Sequence, residues 1–341
     1  MRRLLNILLL SLMLVVTSCE HKDLCLYHHD HAHKYYINVI PEYRLDWEEQ
    51  YDGTDWEANW PADWYPYDTL RPEKPQGLRV INYVEGLGSD LHNISADGGV
   101  VTLYSGENDI LIYNNDTEYI VFTRQDDGRG ATTRATTRTR TRATYTGNRY
   151  ANPDEVTVTP PDMLFANYKA AYVPAKVLTP VEYPATLYPL VFTYKIRYEF
   201  AEGLKYVARA QGALSGMARS VTMNTGETSK EGATILYDCE VVDYGVRAFV
   251  TSFGVPAFPN INYDTRSTNK HALNLEILLR NGKTTILEFD VTDQVKSQPH
   301  GGVITVSDIV IKPEEGAAGS GAFDVEVGDW GDYEDIELPI F

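Results

Sequence analysis

Cys19 closes the run Val16-Thr17-Ser18-Cys19 directly behind a short apolar stretch. A cysteine in that setting is a site for acylation, with lipid on its sulfur and on the amine freed by cleavage before it. Arg2 and Arg3 supply the positive n-region, and Leu4 to Val16 form an apolar h-region broken only by Asn6 and Ser11. This order of charge, apolar core and small residues is that of a cleaved signal peptide. The run is too short for a membrane span, which takes about 20 residues. Residues 1–18 are therefore expected to be a lipoprotein signal peptide, with lipid attachment at Cys19. The acyl chains of a mature lipoprotein exceed the two signals that stable anchoring requires.

The remaining reactive residues point away from catalysis. There is no Gly-rich phosphate loop, no His-Glu-x-x-His and no Cys-x-x-Cys, and Ser215 lacks the flanking glycines of a nucleophile elbow. The acid pairs Asp126-Asp127 and Glu314-Glu315 sit beside glycine and read as solvated loop charges. The cluster His28-His29-Asp30-His31-Ala32-His33 has metal-binding chemistry. Its polar, aperiodic surroundings offer no outer ligands to fix a site, and it reads as a solvated stalk. Neither an enzyme, a cofactor nor a metal is expected. Cys25 and Cys239 would meet an oxidising compartment, where a disulfide is one outcome and a buried free thiol at Cys239 the commoner one.

Trp47, Trp56, Trp60 and Trp64 lie among Asp, Glu, Pro and Tyr in a stretch with neither helical nor strand period. Such residues can stack on sugar rings, so they are the candidate glycan contacts. They can equally pack on a sheet, which the burial energy of aromatic side chains favours. The formal charge is −18, and removal of residues 1–18 takes it to −20. That balance argues against a nucleic-acid partner, which calls for a basic stripe.

The elements that must position these residues are strands. The chain carries 24 tyrosines, and β-branched residues are frequent. After a tether over residues 19–35, strand-like runs cover Tyr36–Ile40, Leu78–Tyr83, Val100–Tyr104, Asp109–Tyr113 and Glu118–Thr123, separated by turn residues. The Thr/Arg stretch at about 124–149 holds no apolar residue larger than Ala from Ala131 to Arg142. Its composition predicts an exposed loop, open to trypsin-like proteases. Pro160-Pro161 suggests a second domain from about residue 157. There Leu190 to Phe200 alternates apolar and polar residues, as a half-buried antiparallel strand does. Asn281-Gly282, between Leu273–Leu279 and Thr284–Val291, predicts a hairpin. Val303–Ile311 and Phe323–Val327 complete an all-β pattern of two antiparallel sandwiches, over 36–156 and 157–341.

Several segments taken in order resemble the fimbrillin-like lipoproteins of Bacteroides and relatives. They are the start Cys19-Glu20-His21-Lys22-Asp23-Leu24-Cys25, Asp97 to Leu103, Tyr113 to Tyr119, Ala213 to Val221, Phe289 to Val295 and Phe323 to Trp330. The resemblance implies two tandem transthyretin-like β-sandwich domains behind a lipidated tether. It implies a non-enzymatic cell-surface protein on the outer membrane, a fimbrial anchor or accessory subunit that engages other fimbrial subunits by β-strand addition. It also makes Thr69, in Asp68-Thr69-Leu70, a candidate O-glycosylation acceptor. The rival reading is a glycan-binding surface lipoprotein that uses the tryptophan stretch on a host or dietary glycan.

Overall fold

The computed structural model describes residues 34–45, 66, 68, 71–126, 131–177, 179–258 and 269–317. The first sandwich contains β1 (Lys34–Tyr43), β2 (Gly77–Val84), β3 (Gly88–Ser95), β4 (Gly99–Tyr104), β5 (Asn108–Asn114), β9 (Phe165–Tyr172) and β10 (Val181–Pro189). One layer runs β10-β1-β4 and the other β3-β2-β5-β9, joined where Tyr188 and Pro189 of β10 pair with Ala166 and Phe165 of β9. β1 lies parallel to β10 and antiparallel to β4. The alternation of strand side chains sends Ile37 and Val39, Leu78 and Val80, and Ile110 and Ile112 into one shared core. Burying each such side chain contributes about 1.5–3 kcal/mol.

The second sandwich contains β8 (Val156–Val158), β11 (Phe192–Glu202), β12 (Val207–Ala218), β14 (Gly232–Val242), β15 (Gly245–Ser252), β16 (Ala272–Leu279), β17 (Thr284–Asp290) and β18 (Gly302–Val310). Its path is β17-β16-β12-β14-β15-β11-β18, with β8 beside β14. β14 turns the corner between layers: residues 232–239 pair with β12, and residues 240–242 with β15. The core centres on Tyr194, Ile196 and Tyr198 of β11, as their alternation predicts. The Tyr198 and Tyr237 hydroxyls bond each other at 2.9 Å, which satisfies both in an otherwise apolar interior. The Asn281-Gly282 hairpin forms in full register, with Gly282 at φ 81° where a side chain would strain the turn. The helices of the second sandwich are short, α1 (Thr292–Lys296), α2 (Pro313–Gly316) and a 3₁₀ turn at Leu204–Tyr206, among the described residues.

A three-stranded sheet bridges the two sandwiches. It comprises β6 (Ile120–Asp126), β7 (Ala131–Thr137) and β13 (Ser220–Thr222), in the order β13-β7-β6. Beneath it lies a third core, which joins Ile81, Leu111 and Tyr113 of the first sandwich and Val221 of β13 to Ala218 and Phe253 at the end of β12 and just past β15. β5 is thus buried on both faces, Ile110 and Ile112 to one side and Leu111 and Tyr113 to the other.

This sheet corrects the expectation of an exposed Thr/Arg loop at about 124–149. Thr133, Ala135 and Thr137 alternate inward, and Thr133 and Ala135 are fully buried. Composition misleads here because small β-branched residues suffice where neighbouring strands supply the bulk. Beyond β7, residues 138–155 run as a strap over the outer face of β12, β14 and β16. Tetrapeptide-scale composition likewise hides the sheet change: β9 and β10 lie past residue 157 yet pair within the first sandwich. The chain passes from β10 to β11 at Leu190-Val191.

Candidate functional site

An edge strand presents unpaired N–H and C=O groups, the chemistry that strand addition uses. The second sandwich treats its two edges differently. β18 makes a parallel ladder with β11, and the backbone groups of Val303 and Thr305 point away from that partner. Two glutamine side chains close them. Gln298 Nε2 donates to Val303 O at 2.8 Å, while Val303 N–H donates to Gln298 Oε1 at 2.7 Å. Gln294 Nε2 donates to Thr305 O at 2.9 Å, while Thr305 N–H donates to Gln294 Oε1 at 2.9 Å. A primary amide carries the same donor and acceptor as a peptide group. Set four residues apart on and just after α1, the two amides share one helix face and substitute for a neighbouring strand. Past them Asp308 takes φ 61°, and the register to β11 shifts, so the edge bends away.

β17 has no such cover among the described residues. The bonds from Leu279 N–H to Lys283 O and from Val291 N–H to His271 O set the phase of the β16–β17 ladder. By the alternation of antiparallel pairs, the backbone groups of Thr284, Ile286, Glu288 and Asp290 then face outward. The strand carries no Lys and no Pro, the residues that commonly protect an edge. Ile286 is 43% exposed, and Leu287 and Phe289 are only partly buried against the core.

The strap braces this side of the sheet from its outer face. Arg142 Nη2 donates to Gly212 O at 3.2 Å, and Arg142 Nε stands 3.5 Å from Glu276 Oε2. Both side chains are nearly buried, at 10% and 5% exposure. Thr144 Oγ1 donates to Glu276 Oε2 at 2.8 Å, and Asn148 Nδ2 donates to Leu273 O and Asn274 Oδ1. Arg149 reaches β17 itself, pairing with Glu288 at 3.2 Å. At the far end of β17 a cleft of about 600 Å³ is lined by Arg149, Tyr150, Lys270, Asp290, Asp293 and Lys296, among others. His271, fully buried beside it, is pushed down to about 4, mainly by burial and further by the Lys296 charge, against the opposing pull of Asp290. Asp290 is held below the usual carboxylate range by hydrogen bonds from Thr292.

The site residues read from the sequence fall elsewhere. Cys19, Thr69, Trp47, Trp56, Trp60 and Trp64 lie outside the described residues, as do Cys25, the histidine cluster and Phe323–Val327. Cys239 is a free thiol whose titration burial pushes well up, which makes it a poor nucleophile. Gln294 and Gln298 escaped sequence reasoning. Their one signal is the four-residue spacing, and that spacing is common.

Over residues 62–238 the sequence matches the family described as a domain of unknown function, DUF5119. The chain belongs to that family. No curated protein matches it. Among solved structures, a candidate adhesin from Bacteroides ovatus superposes on this DUF5119 protein with TM-score 0.57 and 18% identity, covering 83% of this chain and 94% of that one. A second Bacteroides ovatus candidate adhesin gives TM-score 0.48 and 8% identity, over 83% and 90%. The fimbrial anchor protein Mfa2 from Porphyromonas gingivalis gives 0.43 and 12%, over 80% and 90%. At 18% identity the first match establishes a shared fold and nothing further for this DUF5119 chain.

Proposed function

We propose that this chain is a non-enzymatic, lipid-anchored surface protein of the outer membrane, working as a fimbrial anchor or accessory subunit that engages a partner by strand addition. The observation that carries the reading is the unequal treatment of the second sandwich's edges. A protein with no use for strand pairing has reason to protect both, whereas here β18 is sealed by Gln294 and Gln298 and β17 has no such seal among the described residues. The fold shared with a candidate adhesin and the lipid-attachment pattern ending at Cys19 support the same role.

Cys19→Ala in the producing cell tests it. The variant is expected to be released folded, and fimbriae or adhesion subunits are expected to leave the cell with it under mild shearing. Fimbriae that remain attached overturn the anchor reading. Trp47, Trp56, Trp60 and Trp64 changed to Ala provide the other arm. Loss of retention on a polysaccharide column, with the fold intact and fimbriae unaffected, would favour the glycan-binding alternative.

A further inference from the structure

We infer that the edge of β17, uncovered among the described residues, is held in the unassembled chain by this protein's own C-terminal segment, with Phe323–Val327 adding as a parallel strand. The inference stands independently of the fimbrial reading; if both hold, a partner strand enters by exchange.

The geometry begins with where the described chain stops. Asn281, in the β16–β17 turn, donates from Nδ2 to Glu315 O at 2.8 Å and to Ala317 O at 3.3 Å. Ala317 is therefore fastened beside the head of β17, and the residues after it start there. Ala318-Gly319-Ser320-Gly321-Ala322 is a run of small residues, able to span up to roughly 16 Å. Then come Phe323-Asp324-Val325-Glu326-Val327, with period-2 alternation, and Gly328. β17 runs away from the turn, and a segment that leaves the turn beside it runs the same way. That fixes the pairing as parallel.

The side chains fit both faces. Leu287 and Phe289 leave the apolar face of the sheet unfinished, and Phe323, Val325 and Val327 would extend it. Asp324 and Glu326 would then share the solvent face with Ile286 and Glu288. Charge complementarity supplies a third argument. In that pairing the residues that follow, Asp329, Asp332, Glu334 and Asp335, would arrive at the far end of β17, and residues 318–341 include no Lys or Arg. The cleft at that end brings together Arg149, Lys270 and Lys296, alongside Asp290 and Asp293.

Two measurements on the full chain test the inference. Hydrogen exchange should find the amides of Ile286 and Glu288 protected in the monomer, and Val325→Pro should speed their exchange at least about tenfold while leaving Ile110 and Ile112 protected. Fast exchange of both amides in the unmodified monomer overturns the inference. So does protection that appears only as concentration rises, since the occupant is then a second copy. Independently, Ile286→Cys is combined with Asp324→Cys or with Glu326→Cys, and the oxidised chain is mapped by peptide. A bond from position 286 to 324 or 326 within one chain is expected. The same bond between two chains, or none in either pair, overturns it.

Discussion

The two sides of the second sandwich are held by opposite devices. On the β18 side the edge itself is consumed, as four hydrogen bonds from two side-chain amides leave Val303 and Thr305 nothing to offer. On the β17 side the face is clamped by the strap through Arg142, Asn148 and Arg149, and the edge stays free of described partners. Closing an edge prevents pairing. Bracing the face behind an edge keeps it flat and ready for pairing. The contrast shows that rigidity and availability are set separately in this sheet.

The largest expected effect removes the brace. Arg142→Ala leaves Glu276 as a nearly buried carboxylate without its cation, a change that costs about 3–5 kcal/mol. Denaturant unfolding should show that loss, and hydrogen exchange should place it in β16 and β17 rather than β18. Arg142→Met with Glu276→Leu should recover most of it, because no buried charge remains. Equal loosening of β18 would break the contrast.

The joint between the two sides predicts a pH effect. His271 ties β16 to the start of α1: its backbone N–H donates to the Thr292 hydroxyl oxygen at 3.0 Å, and the two sides meet there. Its ring is held neutral in the fold, at about 4 against 6.5 for the ordinary group. The unfolded chain therefore binds the proton first as pH falls. Stability is full above about 6.5, declines toward about 4, and the loss amounts to about 3 kcal/mol for a shift of that size. His271→Gln should flatten that part of the stability–pH curve. A curve unchanged by the substitution would show that His271 does not carry the dependence.

The smallest effect concerns the seal. Gln298→Leu strips Val303 of both outward bonds, and an orphaned buried polar group costs about 1–3 kcal/mol. The more telling readout is association: with the seal opened, β18 should begin to self-pair, measured as concentration-dependent dimer by light scattering. A destabilised but strictly monomeric variant would mean that the bend at Asp308 protects the edge without help.

Local pattern made a good part of this architecture legible. The alternation of Tyr194, Ile196 and Tyr198, and the Asn281-Gly282 turn, are each contained within a few residues, and both appear in the fold as read. What stayed hidden depends on distant partners. β3, Gly-Ser-Asp-Leu-His-Asn-Ile-Ser, is a mostly exposed polar strand that exists because β2 pairs with all eight of its residues. β7 looked like low-complexity linker because its bulk is supplied by β6, β13 and the core beneath them. The edge seal was illegible for a similar reason: Gln294 and Gln298 gain meaning only once β18 folds back past α1.

β1 carries a mechanical consequence. It is the first described strand, with β10 parallel on one side from Ile37 to Tyr43 and β4 antiparallel on the other from Lys34 to Val39. Tension applied through the chain ahead of Lys34, along the strand axis, loads both ladders in shear. Their hydrogen bonds must then yield together and cannot peel one after another. A body tethered at that end would withstand a steady pull at its attachment far better than the modest strength of any single bond suggests.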